Sequence, residues 1–250
     1  MAITKNGSTF TGLTAGLFDV KWTSASFAIA ASTHGILVVS IGVWTAGGIA
    51  NPTVVGVKWG GSGGTALTKV TSQVYDPAGT AIDEASIWYL VAPIAQTSTL
   101  YVDFGATYVN EIAVAATVWD GAAQTTPFSG ASSFNSGWTN SWSVTVSSAT
   151  SSLVIDAIID GGAALTCSQT QDANISNTNT KVGQSNKAGA PSVVMNWTLG
   201  SSNIWAVVAV AVKAAAGGSS AVPGPATASF TGTGSVVGTG LIPGTMIAGT

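Results

Sequence analysis

Between Ser192 and Lys213 the chain reads SVVMNWTLGSSNIWAVVAVAVK, two runs rich in Val, Trp and Ala on either side of Leu199-Gly200-Ser201-Ser202. Apolar residues fall at alternating positions in each run. A period of two sends successive side chains to opposite faces of a strand, and a Gly/Ser cluster between two such runs reads as a hairpin turn. The second run, Ile204 to Val212, is almost continuously apolar, the pattern of a strand covered on both faces. After Lys213 the composition changes to Ala, Gly and Ser, and Pro223-Gly224-Pro225 follows. The expected organisation is therefore a β domain over residues 1–213, closed by this hairpin, a linker at 214–225 and an extended arm at 226–250.

The rest of the domain carries the same signals. Residues 1–16 are Gly/Thr/Ser-rich and expected to be extended and partly loose. Strands are expected over 18–31, 36–44, 53–59, 65–71, 84–91, 97–104 and 109–119, with Gly60-Gly61-Ser62-Gly63-Gly64 as a hairpin loop. Residues 120–140 show little period and read as a long ordered loop holding Phe128, Phe134 and Trp138. Residues 141–146 and 153–159 read as a strand pair, and the polar stretch 166–186 as one or two short strands. No segment has a helical period without an equally good alternating reading. About ten short strands with regular turn signals point to an all-β, jelly-roll-like β-sandwich.

Charge is the most unusual part of the composition. Only 7% of residues are Asp, Glu, Lys or Arg, against about 25% in ordinary globular proteins. Arginine is absent, the seven lysines do not cluster and the isoelectric point is near 4.7. Nucleic-acid binding needs a basic footprint and is excluded as an expectation. The start, MAITKNGSTF, lacks the apolar core of a signal peptide, and no run reaches the length of a membrane-spanning helix. A chain made in a host cytoplasm, with no visible export signal and no membrane partner, is expected. So sparse a surface charge favours association. Hydroxyl side chains could solvate such a surface, but burial in an assembly is the favoured reading.

The inventory for chemistry is thin. His34, in Ser32-Thr33-His34-Gly35, is the one histidine and reads as a solvated turn residue, and Cys167, the one cysteine, as a small half-buried side chain. Asp156 and Asp160 share a strand face by parity but stand ~13 Å apart, too far for one metal or one glycosidic bond. Adjacent Asp83 and Glu84 would point to opposite faces. Calcium at Asp76 or Asp120 is a minor alternative without the spacing of a known calcium loop. The glycine cluster at 60–64 lacks the Lys-Ser/Thr and helix of a phosphate loop. No enzyme activity, cofactor or metal is therefore expected. Nine tryptophans are the best argument for a ligand. Trp22, Trp44, Trp59, Trp88, Trp119, Trp197 and Trp205 fall in expected strands and read as packing. Trp138 and Trp142, in GWTNSW, are the candidates for an interface or a glycan platform, with Asn135, Asn140 and Gln171 as polar partners.

The motifs VVGVKWGG…ALTKV, ASIWYLVAP, TPF and NWTLGSSNIWAVVAVAVK, spanning about Val54 to Lys213, resemble those of β-sandwich proteins encoded by phages and prophages. Joined to an extended arm, such a sandwich looks like a capsid decoration (cement) protein. The resemblance implies a virion structural role, commonly as a trimer that clamps neighbouring subunits of the major capsid protein, and carries no catalytic residues. The arm itself has no charged residue, and its 28 residues from Pro223 could span roughly 90 Å. Phe230, Val236, Val237, Leu241, Ile242, Met246 and Ile247 are its expected apolar anchors. A carbohydrate- or receptor-binding module of a tail fibre or adhesin, or a filament subunit with the arm as donor strand, are the alternatives.

Overall fold

A computed structural model describes residues 2–46, 53–76, 81–105, 108–177 and 179–216. The seven arm residues named above lie outside the described residues, as does the linker beyond Ala216. The chain divides into two compact units, Met1–Gly217 and Gly218–Thr250, and the description concerns the first.

Among the described residues the secondary structure is all strand. In order these are β1 (Thr4–Asp19), β2 (Lys21–Thr23), β3 (Phe27–Ile29), β4 (Ile36–Ala46), β5 (Gly56–Trp59), β6 (Thr65–Ala66), β7 (Thr68–Tyr75), β8 (Ala81–Val91), β9 (Gln96–Ser98), β10 (Leu100–Asp103) and β11 (Val109–Asp120). The second half holds β12 (Phe128–Val146), β13 (Leu153–Asp160), β14 (Leu165–Cys167), β15 (Thr170–Ser176), β16 (Lys181–Ala188) and β17 (Val193–Val212). The first half forms a five-stranded sheet, β1-β11-β4-β8-β7, and a four-stranded sheet, β2-β10-β5-β6, with β3 paired to β9. The second half forms one further sheet, β12-β17-β13-β16-β15, with β14 added to β17. All pairings are antiparallel.

The β-sandwich expected from the sequence is present, and it has a third layer. Leu37, Val39, Ile41 and Val43 of β4 pack with Val57, Trp59, Leu100 and Val102 between the first two sheets. The alternate residues, Ile36 and Val38, pack on the opposite face with Ala113, Ile155, Ile159, Val208 and Val210 of β11 and the third sheet. The five-stranded sheet is thus buried on both faces at its centre. This is why β4 and β11 are apolar without alternation. Burial of both faces at ~25 cal/mol per Å² of apolar surface makes this central sheet the main source of cohesion. The third sheet curls at its far end, where Trp142, Val144, Trp197, Leu199 and Trp205 close a third cluster.

Two close approaches fix this stacking. A β-carbon on Gly42 of β4 would collide with Val182 of β16 and lie 3.2 Å from Ile159 of β13, so only glycine lets the middle and third sheets meet there. The β5–β6 hairpin turns through Gly60 and Gly61, both at positive φ (101° and 81°), as the glycine cluster led one to expect.

Several expectations are corrected. Residues 192–213 do not form a hairpin. β17 runs unbroken from Val193 to Val212, and β12 pairs along it from Phe128↔Val212 to Val146↔Val193. Thr198 faces Ser141 and Asn203 faces Thr139, so the Gly-Ser cluster is a bulge of several residues opposite Asn140. Residues 120–140 are not mainly a loop, because β12 begins at Phe128. Residues 141–146 and 153–159 do not pair with each other; β17 lies between them and pairs with both. Residues 4–19 are a strand at the edge of the middle sheet, and 18–31 hold the end of β1 with β2 and β3.

Candidate assembly surface

The charged residues are divided unequally between core and surface. Five of the ten acids, Asp83, Glu84, Glu111, Asp156 and Asp160, are buried, and none of the seven lysines is. An already low charge is thus lower still at the surface.

Each buried acid has a particular setting. Asp156 of β13 accepts from the Ser185 amide at 2.9 Å and the Ser185 hydroxyl at 2.5 Å through one oxygen. Its other oxygen accepts from Trp197 Nε1 at 2.9 Å and Gln169 Nε2 at 3.3 Å. Burial outweighs these donors and pushes its carboxyl up to about 7. Asp160 caps the end of β13, accepting from the amides of Gly162 (2.8 Å) and Ala163 (2.7 Å), and is raised by burial to about 6. Glu84 accepts from the Val54 amide at 3.0 Å and lies 3.8 Å from Lys69 Nζ; burial still raises it to about 7.

Asp83 and Glu111 stand opposite Trp44 in one row across β8, β4 and β11, so their side chains share the face toward the third sheet. Neither oxygen of Asp83 has a hydrogen-bond partner among the described residues. Burial, then repulsion from Asp160 and Glu111, holds its carboxyl well above the usual range. Its protonated form is favoured there, because that form carries no charge to solvate. Among the described residues no three His, Cys, Asp or Glu side chains are arranged to hold a metal ion. The sequence expectation that Asp83 and Glu84 face opposite ways is met: one faces the third sheet, the other Val54 and Lys69.

Among the described residues the polar groups near His34 bond to one another and not to its ring. Ser32 Oγ bonds to Asp120, whose second oxygen accepts from Asn6 Nδ2 at 2.9 Å. His34 Nδ1 is buried without a partner among the described residues. Cys167 is half-buried, and burial raises its thiol to about 11, far from a reactive thiolate. Three concavities of the surface are lined by no histidine, cysteine or acid.

The two candidate tryptophans are separated by the fold. Trp138 is 61% exposed, whereas Trp142 is 7% exposed and stacks on Trp205 with ring centroids 5.5 Å apart. Trp142 is therefore a core residue, and a paired Trp138/Trp142 platform is not present. The other candidate tryptophans are buried, apart from the half-buried Trp44, and the expected polar partners Asn135, Asn140 and Gln171 are exposed.

The residue that joins Trp138 is Phe134, 57% exposed and four positions earlier in β12. Phe134 pairs with Val208 and Trp138 with Ile204, in unbroken register, so both lie on the same face of the strand. Between them Ser136 Oγ accepts from Gln73 Nε2 of β7 at 3.0 Å. β12 and β7 are edge strands of their sheets, so this bond ties two free edges into one rim. β12 has 19 residues and no charge. The only charge on β7, Lys69, turns inward to Glu84 and over the Trp88 ring at 4.9 Å. The signal for Phe134 was present in the sequence as an i, i+4 aromatic pair, which the loop reading of 120–140 concealed. A second group of exposed apolar side chains, Phe18, Val55 and Tyr108, lies at one end of the first two sheets. There Asp19 pairs with Val109, the Val55 amide bonds to Asp103 O at 2.9 Å, and the Phe104 amide to Val20 O at 2.9 Å.

Comparison with protein-family models gives no match, and neither does comparison with curated proteins.

Proposed function

We propose that the protein is a structural subunit that works by self-association, and that its setting is a virion, as a capsid decoration protein. The observation that carries this reading is the distribution of charge against exposed apolar side chains. Half of the acids are withdrawn into the core, while Phe18, Val55, Tyr108, Phe134 and Trp138 are exposed. A large exposed aromatic is common at interfaces and costly to leave in water as part of a patch. The triple-layered β framework supports a mechanical role, since its rigidity presents the surface without ordering cost. The virion setting and the trimer come from the resemblance of the sequence motifs to phage β-sandwich proteins. The test is sedimentation velocity of the full chain over a concentration series. An oligomer is expected at micromolar concentration, and a monomer throughout would overturn the reading.

Trp138 also favours a second reading, a glycan-binding module, because its ring is exposed and Asn140, also exposed, follows two positions later in the same strand. Glycan binding abolished by Trp138→Ala in a folded protein would establish it; no binding by the wild type would remove it.

A further inference from the structure

We propose that the β7/β12 rim is a two-fold interface with a second copy of this chain, in which β12 pairs antiparallel with its own counterpart about an axis through Ser136. The inference rests on the self-association reading and names its surface and partner.

Three observations lead to it. First, β12 is the longest strand edge among the described residues that carries no charge or proline. An edge presents unpaired backbone N–H and C=O groups, and natural proteins block long edges with charge, proline or a covering element. Neither charge nor proline protects β12; at Ser136 the amide donates to Asn135 Oδ1 at 2.9 Å, a side-chain bond that a pairing strand would displace. Second, the edge carries Phe134 and Trp138 on one face with Ser136 midway. In an antiparallel pair centred on Ser136, residue 134 of one copy faces residue 138 of the other, twice. Each pairing is an aromatic cross-strand contact of the kind that stabilises sheets. An axis through Phe134 or Trp138 pairs only one kind of aromatic with itself and leaves the other without an exposed aromatic partner. Third, the rim brings no charge to repel a second copy, because Lys69 is engaged inward. Four aromatics burying about 100 Å² or more each, together with the paired edges, bring the contact to the order of 1,000 Å², the lower size of a specific interface. A sugar could stack on Trp138 but would leave the main-chain edge unpaired.

Two variants of the full chain test this, read by solution mass, thermal melting and non-reducing electrophoresis. In a Cys167→Ser background, Ser136→Cys places the new thiol opposite its symmetry mate, within the Cα separation that a disulfide accepts. Thr145→Cys, exposed on the same strand, would lie ~60 Å from its mate and is the control. Under mild oxidation Ser136→Cys is expected to give a disulfide-linked dimer and Thr145→Cys none. Phe134→Lys/Trp138→Lys, with its melting transition retained, is expected to lower the mass of the wild-type oligomer at least twofold. If the wild type is oligomeric but Ser136→Cys does not cross-link and the double lysine variant keeps its mass, the rim is not the interface and the self-association reading survives. A monomeric wild type without cross-linking overturns both.

Discussion

Gln184 of β16 donates through Nε2 to Ser40 of β4 at 2.8 Å and accepts at Oε1 from Thr117 of β11 at 2.7 Å, so one fully buried amide ties the third sheet to two strands of the middle sheet. Thr117 continues the chain to Thr9 of β1 at 3.0 Å. The network sits among the apolar side chains between the middle and third sheets and helps to fix how the two register on each other.

Replacing Gln184 by Leu keeps much of the volume but leaves Ser40 and Thr117 without this partner. An unsatisfied buried polar group costs ~1–3 kcal/mol. Gln184→Leu is expected to lower the melting temperature by about 2–12 °C for a chain of this size. Differential scanning calorimetry checks this, and an unchanged melting temperature would mean that the network contributes nothing net.

The buried acids set a pH dependence of unusual sign. Asp83, Glu84, Asp156 and Asp160 all have folded-state carboxyls raised above their unfolded values. Above the unfolded value near 4 the native state therefore holds more protons than the unfolded chain, so stability falls as pH rises. For Glu84, Asp156 and Asp160 the loss develops between about 4 and the folded values of about 6 to 7, and levels off above them, where the carboxyls are ionised in both states. The melting temperature is expected to be higher at pH 5 than at pH 8.

Asp83 and Asp156 are expected to respond oppositely to neutral replacement. Asp83→Asn removes a buried carboxyl that no donor meets, and with it the cost of keeping that group protonated at pH 8, so it should raise the melting temperature there. Asp156→Asn gives up an acceptor that serves Ser185, Trp197 and Gln169, and should lower it at both pH values. Thermal melts of the two variants at pH 5 and pH 8 distinguish them.

Trp142→Ala deletes a buried ring stacked on Trp205 and should cost ~3–5 kcal/mol. Trp138→Ala is expected to leave monomer stability within ~0.5 kcal/mol, as surface changes usually do. Chemical denaturation of both variants checks the contrast. At the contact between middle and third sheets, Gly42→Val should destabilise by ~1–3 kcal/mol through overpacking against Val182 and Ile159.

The strands legible in the sequence were those whose pattern has one reading. Ile36–Trp44 and Val109–Trp119 are too apolar to be anything but buried strands, and the glycine cluster at 60–64 marks a turn. The Leu199–Ser202 cluster was ambiguous because the same residues that reverse a chain also widen a bulge, and only the partner strand decides between them. β12 was hidden because it is an edge: with one side unpaired and half its ladder exposed, Ser, Gly and Asn are tolerated where a central strand needs Val and Ile. The third layer could not be read because a strand covered on both faces does not say what covers it. Parity correctly sent Asp83 and Glu84 to opposite faces, but their burial depends on sheets brought together from distant parts of the chain.

The claim that this is a self-associating structural subunit is tested most directly by the solution mass of the full chain beside a chain ending at Gly217, measured by light scattering. The shorter chain keeps the backbone bond from the Ala215 amide to Gly121 O that ties the end of the described fold in place. An oligomer that persists through the sandwich but loosens without residues 218–250 is the expected result. A full chain that remains monomeric at every concentration would contradict the account.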